Sequence, residues 1–228
     1  MTILALEFSS PQRSVAVAFG GAPNAARGGA RVPQKICEAV ETGGRGTNAF
    51  GMIENVLAQA KIGREEIDAI AIGLGPGSYT GIRSAIAIAQ GWQLALGTKL
   101  LGISSVDCLA AQAQVEKIFG RVNVVVDAQR NEFYAAAHEI SETERKEIRP
   151  LKILAFAELQ SRADTGENLA GPAVTRWFPS GKDFFPHAAT LAKLAAAKHD
   201  FVPGAKLEPI YLRETSFVKT SPNSTVVF

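Results

Sequence analysis

The chain has 228 residues, of which 46 % are hydrophobic and 20 % charged, with a formal net charge of +2. It is long enough to bury a substantial core, as one domain or two small lobes. Its Lys/Arg and Asp/Glu are scattered rather than blocked, which gives no compositional signal for a nucleic-acid or membrane surface, and no apolar run approaches membrane-spanning length.

Met1 to Glu7 lacks a basic n-region and meets an acid early, so it reads as a first strand rather than a signal peptide. Thr2 to Phe8 is apolar, Ser9-Ser10-Pro11-Gln12 turns, and Ser14 to Phe19 runs back, which predicts a largely buried β-hairpin. The turn carries Glu7, Ser9 and Ser10, a set that suits a cation or phosphate, or equally serines satisfying turn backbone. Residues 20–34 read as a loop and Lys35 to Val40 as a third strand. Loop Gly43 to Gly46 holds Arg45, expected to be solvated. Cys37 and Cys108 are far apart and make no Cys-x-x-Cys pair, a usage that fits reduced thiols in a cytoplasm.

Thr47 or Asn48 can cap a helix running to about Lys61, with Phe50, Ile53, Val56, Leu57 and Ala60 on one face. Ile67 to Gly73 is a short apolar strand, and Ile82 to Leu96 recurs at helical spacing until Gly97 stops it. Between them lies Gly73-Leu74-Gly75-Pro76-Gly77-Ser78-Tyr79-Thr80-Gly81, a strand-to-helix turn. Its glycines allow φ > 0 or close backbone approach, and Ser78 or Thr80 can cap the helix. A glycine-rich turn at a helix N-terminus suits a phosphate, so Gly75, Gly77 and Ser78 are candidate cofactor contacts. A purely structural turn fits the same residues, because neither a Walker Lys-Ser/Thr pair nor the Rossmann glycine spacing is present.

Lys99 to Ile103 predicts a strand, and Ser104-Ser105 caps a helix carrying Val106, Leu109, Ala110 and Ala113. This joint is the expected boundary between a lobe over 1–103 and a second over 104–213, followed by a mobile tail over 214–228. Arg121 to Asp127 and Glu132 to Ala137 then form a second hairpin. Asp127 at its strand end echoes Glu7, as two related lobes would. Glu142 to Lys146 reads as a solvated turn, Phe156 to Arg162 as a helix, Asn168 to Gly171 as a strand and Ala188 to His199 as a helix. Leu207 to Arg213 is extended, with Pro209 disfavouring a helix.

Catalytic constellations are not visible in this pattern. His138, His187 and His199 have no ligand spacing, so no metal is expected and each reads as an ordinary surface or helix-end histidine. No Gly-x-Ser-x-Gly elbow is formed, and Glu7 and Asp127 are acid/base candidates that sequence does not bring together.

The block from Gly73 to Arg83, with Ala89-Gln90-Gly91 and Gly102-Ile103-Ser104-Ser105, resembles the hallmark of the TsaB (YeaZ) family. The likeness extends to Ile3 to Ser10, to Asp127 to Tyr134 and to Pro209-Ile210-Tyr211-Leu212-Arg213, nearly the whole chain. It departs where the family usually has Asp-Thr-Ser, here Glu7-Phe8-Ser9, and where a His-Ser-Glu-like stretch is replaced by Thr47-Asn48-Ala49.

The resemblance implies an α/β, two-lobed actin/Hsp70-like (ASKHA) fold, each lobe a mixed sheet with flanking helices. It implies a cytoplasmic, non-catalytic subunit that supports threonylcarbamoyladenosine formation in tRNA. The subunit would dimerise with a TsaD-like catalytic subunit beside a TsaE-like ATPase, with tRNA met only through the complex. It implies no cofactor for the isolated chain, leaves ATP or ADP open in the complex, and leaves a homodimer open when the chain is alone. Read with the apolar helix after the glycine turn, it implies an interface over Ile53, Leu57, Ala85, Ile88, Ala89 and Trp92. The rival classes are an ASKHA-type phosphotransferase, a peptidase-like enzyme and a stand-alone homodimer.

Overall fold

The computed structural model describes residues 1–21, 33–43 and 48–213. Residues 22–32 of the expected loop over 20–34, Arg45, the Thr47 cap and the tail lie outside the described residues.

The first sheet opens with a meander. Strand β1 (Ile3–Glu7) pairs antiparallel with β2 (Gln12–Phe19), and β2 with β3 (Lys35–Thr42). After helix α1 (Ala49–Ala60), strand β4 (Ala69–Gly73) enters parallel to β1, with Ala5 opposite Ala71. Helix α2 (Tyr79–Leu96) then leads to β5 (Lys99–Ile103), parallel to β4, giving the order β3-β2-β1-β4-β5. Period-2 alternation sorts the residues of this sheet onto two apolar faces. Leu4, Leu6, Val15, Val17, Ile70 and Ile72 meet Met52, Ile53 and Val56 of α1 and Ile82, Ala85, Ile86 and Ala89 of α2.

The second sheet repeats the plan. Helix α3 (Ser105–Val115) precedes β6 (Gly120–Asp127), which pairs antiparallel with β7 (Glu132–Ile140), and β7 with β8 (Arg145–Ala155). Helix α4 (Phe156–Asp164) leads to β9 (Asn168–Gly171), parallel to β6, and a 3-10 turn over Val174–Arg176 leads to β10 (Lys182–Asp183), parallel to β9. Read from its β8 edge, the order β8-β7-β6-β9-β10 has the same sequence of antiparallel and parallel pairings as the first sheet.

The last helix, α5 (Ala188–Ala195), crosses back. Its Ala188, Leu191, Ala192 and Ala195 cover the inner face of the first sheet at Ile3, Ala5, Ala16, Ala18, Ala71 and Leu101. Meanwhile α3 lays Val106, Leu109 and Ala110 on Val124, Val126 and Ala136 of the second sheet. The chain downstream of α5 runs along the first sheet, where Val202 N–H donates to Leu100 O at 2.9 Å and Ile210 N–H to Leu74 O at 2.8 Å, before Arg213 reaches Ala128 O at 3.1 Å and Glu132 in the second. A second lobe running continuously from 104 to 213 therefore does not describe the packing.

Local differences have local causes. Helix α1 begins after Asn48 without a side-chain cap, and Phe50 is 68 % exposed instead of facing the sheet. Helix α5 ends at Ala195 rather than near His199. Strand β8 has no counterpart in the sequence reading, because it is an edge strand rich in charge, with Pro150 inside it and a bulge against β7.

Candidate functional site

The glycine turn is fastened to both its neighbours. Ser78 caps α2 by accepting Gly81 N–H at 3.3 Å, and Ser78 N–H donates to Ser9 O at 2.7 Å. Gly75 N–H donates to Ser105 Oγ at 3.1 Å, and Ser105 N–H returns a bond to Gly75 O at 2.9 Å. A Cβ on Gly77, where φ is +149°, would stand 2.1 Å from Ser9 O, and one on Gly81 2.0 Å from Phe8 O. Glycine is needed because two backbones touch. Of the candidate cofactor contacts Gly75, Gly77 and Ser78, the N–H groups of Gly75 and Ser78 are therefore spent inside the chain, and Gly77 abuts Ser9.

Glu7 lies beneath this turn, fully buried. Its Oε1 accepts Ser9 N–H and its Oε2 accepts Ser105 Oγ–H, both at 2.9 Å, in a niche that a Cβ on Gly73 would fill. Burial pushes the Glu7 carboxyl up from its ordinary value, and the bonds from Ser9 and Ser105 partly oppose this. Ser10 Oγ–H donates to Gln12 O and so satisfies a turn carbonyl, while Ser9 ties the turn through its backbone N–H and C=O. At the equivalent corner of the second sheet, exposed Asp127 Oδ1 accepts Gln129 N–H at 2.7 Å. Both acids close their own turns by bonding the N–H two residues on, which is the echo expected from sequence.

On the outer side of the first sheet, α1 and α2 leave between them an apolar groove of about 920 Å³. Phe50 and Ile53 of α1 and Ile88, Gly91, Trp92 and Leu96 of α2 line it. The 3.6-residue period explains the division: Ile82, Ala85, Ile86 and Ala89 face the sheet, while Ser84, Ala87, Ile88, Gly91 and Ala95 turn to the groove. Of the expected interface residues, Ile88 and Trp92 line the groove, and Ile53 forms its floor as a core residue 1 % exposed. Leu57, Ala85 and Ala89 are corrected: they are 4 %, 0 % and 0 % exposed and belong to this chain's own core. Sequence reasoning missed Phe50, Leu96 and Arg13. The guanidinium of Arg13 borders the groove with Nε and Nη1 buried and unpartnered, as is Trp92 Nε1, among the described residues.

The histidines divide. His187 sits before α5 with Nδ1 at 3.2 Å from Glu38 Oε2, a contact that raises its pKa from the ordinary value. His138 is not a surface histidine: it is 3 % exposed, under α3.

Two duplicated mixed sheets with exchanged helices and a glycine turn locked to the first hairpin define a two-lobed protein of the actin/Hsp70-like class. The family model for TsaD, tRNA N6-adenosine threonylcarbamoyltransferase, matches residues 47–202, and the chain belongs to this family, on its TsaB (YeaZ) branch. It is 26 % identical to the tRNA threonylcarbamoyladenosine biosynthesis protein TsaB of Haemophilus influenzae, over 97 % of this chain and 98 % of that one. The Escherichia coli TsaB is 30 % identical over 62 % of this chain and 57 % of its own length. YeaZ from Pseudomonas aeruginosa superposes with a TM-score of 0.74 at 25 % identity, covering 92 % of this chain and 100 % of that one. Among the described residues, no helix is long and apolar enough to cross a membrane.

Proposed function

We propose that this chain is a subunit of the machinery forming threonylcarbamoyladenosine in tRNA, and that it acts by docking the α1/α2 groove onto a TsaD-like catalytic subunit. The groove carries the reading: it is large, apolar, built on two rigid helices, and bordered by the unpartnered donors of Arg13 and Trp92. A partner offering an apolar ridge with a carboxylate or carbonyl at its edge satisfies both features. In this reading the work is done at the cytoplasmic complex, where a TsaE-like ATPase acts, tRNA is engaged and ATP or ADP is bound. A phosphotransferase or peptidase role is less well supported. Glu7 is sealed from solvent, and burial pushes the Cys108 thiol well above its ordinary range.

Gly91 provides the test, because a Cβ there meets nothing within 4 Å. Gly91→Leu is expected to leave the free chain as stable or to raise its stability by up to about 1 kcal/mol, since Gly is a poor helix former. The same change fills the groove and should abolish capture of the TsaD-like subunit. Thermal melts and pull-down read the two effects separately. A folded Gly91→Leu protein that binds the partner with unchanged affinity would place the interface elsewhere. Light scattering on the wild type shows whether the groove self-associates instead.

A further inference from the structure

Under α3, three side chains that no sequence spacing links come together. Asp107 comes from the first turn of α3, His138 from β7 and Glu147 from β8, where it pairs across the strands with His138. One donor atom from each lies within 4.8 Å of the other two. A second observation concerns the imidazole itself. His138 is 3 % exposed, and its Nδ1 is buried with no hydrogen-bond partner among the described residues.

We propose that Asp107, His138 and Glu147 form a binding site for a divalent transition-metal ion of the zinc class, which ties α3 to the β7–β8 ribbon. The donor chemistry selects the ion. One imidazole nitrogen and two carboxylate oxygens suit zinc and its first-row neighbours, whereas magnesium and calcium prefer oxygen throughout. The imidazole has a ring nitrogen to offer, since its buried Nδ1 makes no hydrogen bond among the described residues. Two carboxylates then balance a dication, while Arg145 nearby keeps the site from being strongly anionic when metal-free. Donors on one zinc ion stand about 3–3.5 Å apart, given bond lengths near 2.0–2.2 Å. From donors within 4.8 Å of one another, closing needs shifts of roughly 1–2 Å, shared between the half-buried Asp107 and the exposed Glu147 side chains. Three protein donors leave a coordination position for water. The site is independent of the groove and of Glu7.

The test titrates metal-free full-length protein with zinc against a chromophoric chelator, with magnesium as control. The expected result is one zinc bound per chain, a zinc-dependent rise in melting temperature, and movement of the His138 ring ¹⁵N resonances. Glu147→Gln and His138→Gln should each weaken zinc binding by at least about tenfold, since even outer-sphere partners of a metal ligand cost that much. Glu147 is exposed, so Glu147→Gln folds and decides the matter even where His138→Gln does not. Zinc binding that is absent at micromolar metal, or unchanged in Glu147→Gln, overturns the proposal, as does equal affinity for magnesium.

Discussion

Glu7 is a carboxylate withdrawn from water and held by two donors, so its protonation state carries a stability term. Its folded pKa is raised by burial, so the folded state binds its proton more readily than the unfolded state does. The contribution is therefore most favourable below the ordinary carboxylate range and is lost as pH rises through the raised value. Glu7→Gln keeps the geometry available: the amide oxygen can accept Ser9 N–H, and the amide N–H can donate to Ser105 Oγ, whose hydroxyl has a second lone pair. We predict that Glu7→Gln is neutral or stabilising at neutral pH, with an advantage over wild type that shrinks as pH falls to 4. Glu7→Ala should instead cost at least about 1–3 kcal/mol, because Ser9 N–H is left buried without a partner. Urea unfolding at several pH values measures both. An advantage that grows on acidification would contradict the burial argument. The local part of this corner was legible in sequence, since an acid, two serines and a run of glycines are a recognisable turn vocabulary. The direction of the N–H groups was not, because it depends on Ser9 and Ser105 arriving from other elements.

The same distinction sorts the elements. Helix α2 was legible to its C-terminal end at Gly97, while sequence left Ser78 or Thr80 as its cap and the structure uses Ser78. Its apolar residues lie on opposing faces, yet the structure covers one face and leaves the other open beside α1. Composition marks a helix as unusually apolar without saying whether the second face is filled. Strand β8 was illegible because an edge strand needs little apolar alternation, and its place is secured by charge. Glu167, just before β9, accepts from Arg149 of β8 at 2.7 and 3.0 Å, from Asn123 of β6 at 2.8 Å and from Arg121 at 3.2 Å. The Arg149 bonds lead in lowering its carboxyl pKa to about 2 from an ordinary 4.5. A depressed acid contributes stability above its unfolded pKa and loses it as pH falls through the folded one. Wild type should therefore lose more stability than Glu167→Gln on acidification from pH 5 to about 2, and be the more stable of the two at pH 7. Parallel acid limbs for the two proteins in chemical denaturation would show that the network does not hold β8.

At the scale of the molecule, the repeated strand order shows one plan used twice, and the echo of Glu7 in Asp127 was its trace in the sequence. What pattern reading did not reveal is that each unit's closing helix serves the other: α3 follows the first sheet and covers the second, and α5 follows the second and covers the first. Helical periodicity fixes which side of α5 is apolar, but every apolar face looks alike until a sheet is chosen for it. The alanines choose. Ala188, Ala192 and Ala195 lie against Ala5, Ala16, Ala18 and Ala71, a pairing of small residues that lets helix and strands approach closely, with Leu191 as the one large side chain of α5 fully buried there. The first lobe should consequently fail to fold from its own sequence. A fragment of residues 1–103 keeps every strand of its sheet but leaves Ile3, Leu101, Ile103 and the alanine surface facing water. We predict that it is aggregated or lacks a cooperative unfolding transition, and that adding a segment spanning 184–213 in trans restores one. Within the intact chain, Leu191→Ala should cost about 2–5 kcal/mol, the range for emptying a fully buried leucine site. Its effect on hydrogen exchange should appear in β1, β2 and β4 rather than in the second sheet from which α5 emerges. A 1–103 fragment that unfolds cooperatively alone, or a Leu191→Ala protein whose first sheet exchanges as slowly as wild type, would mean that the lobes are independent after all.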